Sequence, residues 1–194
     1  MSKTCLVTTG ATYPFTELID AALSPLVMAR LCELGFATVR VQYGSHVQGK
    51  RAFDRAVAAL VAASGQNVKV TGFSLTEDML GEIASASLVI SHAGTGTILD
   101  VLRQHRPLNK NYKNDNVPVP LVVVANDKLM HGHQDEIAAA LATDLHVVYA
   151  RELAGLAVAV VEAVTAAKQG RLVRLPSRHS LRAVIDVEAG LVTN

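Results

Sequence analysis

Ser91-His92-Ala93-Gly94-Thr95-Gly96-Thr97-Ile98-Leu99-Asp100 decides the fold. Leu88-Val89-Ile90 in front of it is apolar throughout and too short for a helix, so Ser87–Ser91 reads as a buried strand. The glycines make a tight turn, and helical spacing follows over Ile98–Gln104. A buried strand that passes through a Gly-rich turn into a helix is the repeating unit of a parallel α/β sheet.

The same alternation extends in both directions. Apolar or β-branched runs predict strands at Thr4–Thr9, Ala37–Gln42, Val68–Thr71, Leu121–Ala125 and Leu145–Tyr149. Between them, helices are expected over Thr16–Leu34 (broken or kinked at Pro25), Arg51–Ala63, Thr76–Ala84 with Thr76 as its N-cap, His133–Leu141 and Leu153–Lys168. Leu108–Pro120, with four Asn, two Lys and two Pro, reads as a surface loop. After Gly170 come a basic patch and an amphipathic segment over Ser180–Leu191. The expected fold is α/β: a Rossmann-like parallel sheet with helices on both faces, residues 1–170, followed by a C-terminal helical extension, residues 171–194.

Composition narrows the function. Of 194 residues, 50% are hydrophobic and only 4% aromatic, and the net charge is +1 with no basic block. Nucleic-acid binding by bulk electrostatics is therefore not expected. Cys5 and Cys32 sit in apolar contexts and read as buried free thiols of a reducing compartment. The first strand begins almost at Met1, which leaves no room for a signal peptide, and the most apolar late run is too short to span a bilayer. A cytosolic chain is expected.

Three segments can carry chemistry. In the first, the helix start behind Gly94 and Gly96 offers unpaired N–H groups and a positive dipole end, which suits a diphosphate. Thr95 and Thr97 add hydroxyls, and Asp100, one turn in, can accept from ribose hydroxyls. A plain strand–helix turn with a solvated Asp100 is the alternative. In the second, Asn126 to Glu136 follows the next strand and so lies at the same carboxyl edge, where open α/β sheets bind ligands. His133 and Gln134 there suit sugar hydroxyls. His131 and His133 lack a third ligand at fitting spacing, so no metal is expected. In the third, Thr8-Thr9-Gly10-Ala11-Thr12 follows the first strand. It has one Gly where a dinucleotide fingerprint has three, which argues against NAD or FAD and leaves no cofactor expected. Gly10 and Thr12 can still serve a phosphate, and an ordinary turn is the alternative. His46, His105, His146 and His179 fall in no recognisable motif and read as surface or satisfied histidines rather than catalysts.

Together these segments resemble the donor-binding half of GT-B glycosyltransferases, and in particular the catalytic-subunit family of the two-subunit N-acetylglucosaminyltransferase that extends dolichyl-diphosphate-GlcNAc. The likeness is carried by Gly10-Ala11-Thr12-Tyr13-Pro14-Phe15, Gln42-Tyr43-Gly44, Leu88 through Asp100, and Asn126-Asp127-Lys128-Leu129-Met130 with His133-Gln134. It runs from about Thr4 to Leu141, with a weaker tail match at Leu175-Pro176-Ser177. The bacterial MurG-type transferases are similar from Gly72-Phe73 through Asp100.

The resemblance implies that UDP-GlcNAc binds to Gly10, Thr12, Phe73, Ser74, His92, Ala93, Gly94, Thr95, Gly96, Thr97, Asp100, Asn126, His133 and Gln134. Phe73-Ser74 would lie by uracil, Asp100 by ribose and Gln134 by the sugar. Many relatives have Glu where Asp100 stands, so the reach to ribose is shorter here. His92, near the diphosphate end, is the catalytic candidate and a residue that positions the loop; the general base is otherwise left to a partner chain. The resemblance further implies inverting GlcNAc transfer to dolichyl-diphosphate-GlcNAc in N-glycosylation. It implies a membrane-anchored partner subunit that supplies the acceptor half and recruits the chain to the cytosolic face of the endoplasmic reticulum, with Ser180–Leu191 as the partner contact. Two rivals share the architecture: a UDP-GlcNAc 2-epimerase-like isomerase and a non-catalytic UDP-sugar-binding subunit.

Overall fold

The computed structural model describes residues 2–11, 13–63, 68–104, 118–126, 133–144 and 146–173, without the side chains of 133–135 and 137. The chain alternates β1 (Lys3–Thr8), α1 (Thr16–Ala22), α2 (Pro25–Glu33), β2 (Phe36–Gln42), α3 (Val47–Ala62), β3 (Lys69–Phe73), α4 (Met79–Ser85), β4 (Leu88–His92), α5 (Thr95–Arg103), β5 (Leu121–Val124), α6 (His133–Thr143), β6 (Val148–Ala150) and α7 (Leu156–Lys168). All strand pairs are parallel, in the order β3-β2-β1-β4-β5-β6. The order reverses between β1 and β4, so their carboxyl ends part at a crevice, the usual ligand position in such sheets.

Strand periodicity divides the core. Cys5, Val7, Leu88, Ile90, Val122 and Val124 face α1, α2, α3 and α7. Leu6, Val89, Leu121 and Val123 face α4, α5 and α6. Successive side chains alternate faces, so apolar runs without a polar position are what a sheet covered on both sides requires.

Several boundaries differ from the sequence reading, each for a local reason. The break expected at Pro25 is present, with Pro25 opening α2 and Ser24 capping it by accepting from the Val27 N–H, whereas other starts move. α3 starts at Val47 rather than Arg51. Gly49, a weak helix former, hides that start, and its missing Cβ admits the Tyr43 carbonyl. Asp78, not Thr76, caps α4 through the Gly81 N–H at 2.8 Å, while Thr76 Oγ1 accepts from the Asp78 N–H. The helix expected from Leu153 opens as a 3₁₀ turn, Leu153–Gly155, before α7. Cys5 is buried, and burial pushes its thiol pKa far up; Cys32 is exposed, contrary to expectation, because it lies on the outer face of α2.

The body continues slightly past Gly170. Leu172 is buried beside Ala166 and Ala167, and the Val173 carbonyl bonds His146 Nδ1 at 2.8 Å. The helical extension expected over Ser180–Leu191 and most of the loop Leu108–Pro120 lie outside the described residues. Among the described residues no helix is long and apolar enough to cross a membrane.

Candidate functional site

The carboxyl edge of the sheet carries a line of buried polar side chains: Thr8, Thr9, Gln42, Ser91 and Asn126. Apolar strands do not end in buried polar groups without partners. Thr8 and Ser91 face each other across the β1–β4 switch point with their hydroxyls 3.1 Å apart, and Ser91 Oγ donates to the His92 carbonyl at 2.7 Å. Thr9 Oγ1 donates to the Gln42 carbonyl at 3.0 Å. These bonds fix the strand ends from which the candidate loops depart. Their signal in the sequence is a polar residue closing each apolar run.

Above this line, α5 begins at Thr95, three residues earlier than its apolar spacing suggested. Its first intrahelical bond runs from the Ile98 N–H to the Gly94 carbonyl, at 3.1 Å. The N–H groups of Thr95, Gly96 and Thr97 therefore form the first turn, with no acceptor inside the helix. Ile98, Val101 and Leu102 bury the inner face of α5. Gly96 is exposed, and among the described residues no atom beyond its neighbours and its own helix backbone lies within 4 Å of where its Cβ would be. Asp100 is partly exposed and follows Gly96 by four residues, so the carboxylate stands one turn above the open glycine on the same face. A diphosphate on the helix start with a ribose behind it matches this arrangement.

The other glycines of the site serve a different purpose. Gly10 has φ +83°, in the left-handed region. A Cβ on either Gly10 or Gly94 would run into the imidazole of His92. That ring, largely buried, fills the space between the two turns. Gly94 thus makes room for His92, whereas Gly96 leaves room for a ligand. Ala93 between them is fully buried.

Burial pushes the His92 imidazole below its ordinary value near 6.5; the nearby Thr8 carbonyl favours the protonated ring, but less than burial disfavours it. The unfolded chain takes up this proton more readily than the folded one. The stability this side chain contributes is thus present above about 6.5 and is lost as pH falls from there toward the lower folded value. Urea unfolding of the full chain at pH 7.5 and 5.5 should show a loss on acidification that is smaller in His92→Gln. Equal losses in both proteins would mean that the ring is solvated.

Phe73 ends β3, half-buried, with Ser74 exposed after it. The Arg40 guanidinium lies 5.1 Å from the Phe73 ring centroid and is held by Glu82 through two hydrogen bonds, one of them 2.7 Å. β3 is three strand spacings from β4, about 14 Å. Phe73-Ser74 and the α5 start are thus the two ends of one row along the carboxyl edge, not one cluster. On the far side, a cavity of about 220 Å³ is lined by Phe15, Glu17, Asn126 and Leu153, with Arg151 and Glu152 at its mouth. Of this group the sequence reading named only Asn126 as a site residue, because Glu17, in the first turn of α1, and Arg151 and Glu152, after β6, belong to no motif. The backbone of His133 and Gln134 opens α6. Their side chains, Thr12, and the 127–132 stretch that includes His131 lie outside the described residues.

A parallel sheet in this order, with a helix start open to solvent at its switch point, is the architecture of a Rossmann-like ligand-binding domain. Residues 4–108 match the glycosyltransferase family 28 C-terminal domain. The UDP-N-acetylglucosamine transferase subunit ALG13 of Yarrowia lipolytica is 42% identical over 144 residues, 73% of this chain and 61% of that protein. The subunit of the same name from Eremothecium gossypii is 38% identical over 154 residues, 70% of this chain and 68% of that one. Among solved structures, the NMR solution structure of ALG13 superposes with a TM-score of 0.62 at 25% identity, covering 95% of this chain and 94% of that one. Acinetobacter baumannii MurG shares the fold, with a TM-score of 0.60 at 18% identity, over 98% of this chain and 50% of that one. The chain belongs to the ALG13-type family of UDP-N-acetylglucosamine transferase subunits, glycosyltransferases of family 28.

Proposed function

We propose that this chain holds UDP-GlcNAc and catalyses transfer of GlcNAc to dolichyl-diphosphate-GlcNAc, with inversion, as one subunit of a heteromeric enzyme. The observation that carries the reading is the α5 start: three orphan N–H groups at the switch point, an open Gly96, and Asp100 one turn behind. In transfer, the bond between the anomeric carbon and the diphosphate breaks and negative charge accumulates on the departing UDP. Fixed N–H donors and the helix dipole stabilise that charge without reorganising. Gly10 and Thr12 would assist from the β1 turn. Phe73 and Ser74 would border uracil, while Asn126, His133 and Gln134 would border the sugar.

One such domain binds a donor; the acceptor needs a second. At the carboxyl edge the loops expose Tyr13 and Leu75, and the first turns of α3 and α4 expose Val47 and Leu80, apolar side chains with no evident role in an isolated domain. A membrane-anchored partner that carries the acceptor site and recruits the chain to the cytosolic face of the endoplasmic reticulum fits this open side. In this reading the segment beyond residue 173 docks the partner.

Calorimetry on the full chain should show UDP and UDP-GlcNAc binding far more tightly than NAD or ATP. NAD binding as tight as UDP would sink the reading. Co-expression with candidate membrane partners, followed by a radiolabelled UDP-GlcNAc transfer assay, separates a catalytic subunit from one that only binds the sugar nucleotide.

A further inference from the structure

Gly94 has φ −75° and ψ 118°, backbone that any L-residue adopts. No conformational demand explains its missing side chain; the His92 ring does, because a Cβ at Gly94 would overlap it. Gly10 packs on the same ring, where a Cβ would stand 2.7 Å from Nε2. Both turns approach the Nε2 end of the imidazole most closely, so a side chain on either one would have to displace the ring. It sits at the end of β4, beside β1, where Thr8 and Ser91 already tie the two strands together. Its Nδ1 is sealed from solvent and makes no well-formed hydrogen bond among the described residues.

We propose that His92 is a positioning residue, a spacer wedged between the Gly10 and Gly94 turns that sets their separation so that both can address one diphosphate. This rests on the α5 start being the donor-diphosphate site. A general base must reach the acceptor hydroxyl, whereas the Nε2 end of this ring is packed against both turns and its Nδ1 is sealed from solvent. It acts on the reaction only through the backbone it spaces.

The test is a double-mutant cycle on the full chain with UDP as the probe, read by calorimetry, with thermal unfolding to follow the fold. Gly94→Ala weakens UDP binding about tenfold, because the methyl displaces the ring and the turn with it. His92→Ala alone weakens it several-fold. In the His92→Ala background, adding Gly94→Ala changes the Kd by less than about twofold, since nothing remains to collide with. Additive losses overturn the spacer. If Gly94→Ala alone fails to fold, the double variant must regain both fold and UDP binding; a double variant as unstable as the single one overturns the spacer too.

A second measurement excludes a catalytic ring. In the assembled transferase, His92→Gln raises KM for UDP-GlcNAc about tenfold, keeps kcat within about threefold, and leaves the pH profile of kcat unchanged. Collapse of kcat with loss of the acid limb would make His92 the base. A wild-type chain that does not bind UDP refutes the donor site itself. A chain that binds UDP but shows additive losses refutes the spacer alone.

Discussion

Asp100→Ala raises KM for UDP-GlcNAc by about 1.5–3 kcal/mol, roughly 10- to 150-fold, the loss of a charge-assisted hydrogen bond to ribose. The reasoning is geometric. Asp100 is not needed for the fold, since the buried side of α5 is Ile98, Val101 and Leu102. It stands one turn above Gly96, whose outer side is empty. A ligand phosphate on the first turn brings its ribose under this carboxylate. Asp100→Glu keeps the charge on a longer arm and should cost only a few-fold, whereas Asp100→Asn should resemble Ala because it loses the charge. Steady-state kinetics of the assembled enzyme, with circular dichroism to confirm folding, measure this. An unchanged KM in folded Asp100→Ala would make the residue a solvated helix position.

Truncation after Val173 abolishes partner co-purification and transferase activity together while UDP binding survives. The cut belongs there rather than after Gly170. Leu172 is buried in the small cluster with Ala166 and Ala167, and the Val173 carbonyl ties down His146. Removing those two residues would expose an apolar side chain and orphan a buried polar group, a loss of folding stability that would masquerade as loss of docking. The deleted segment carries Leu181, Val184, Ile185 and Leu191 at helical spacing. If these pack on this domain, each contributes about 1.5–3 kcal/mol, enough together to unfold a domain of ordinary stability. Circular dichroism and a pull-down on the truncated chain distinguish the cases. An unfolded product counts against a docking role, and full activity with normal partner binding removes the segment from the mechanism.

Strand positions were legible because runs such as Leu121-Val122-Val123-Val124 admit no helical face and no polar interruption. Helix starts were less so. Thr95, Gly96 and Thr97 carry no apolar periodicity, yet they form the first turn of α5, because the start of a helix is set by capping and backbone geometry rather than by burial. The residues of the donor row could be named from their likeness to a family. Their division of labour could not: one glycine leaves open space at the helix start and another makes room for a histidine, and only three-dimensional packing tells them apart. Cys32 shows the converse. Apolar neighbours in the sequence suggested burial, but on a helix its immediate neighbours point elsewhere.

The bond between His146 and Val173 also fixes where the chain leaves the described body. His146 precedes β6, so this exit is at the amino pole of the sheet, opposite the end where α5 begins. Handle and working edge are at opposite poles. A companion that both grips the segment beyond Val173 and completes the cleft must reach around the domain, or be reached by that segment. If the proposed docking role holds, changes beyond Val173 would tune how long the two proteins stay together without touching how the proposed donor site holds its ligand.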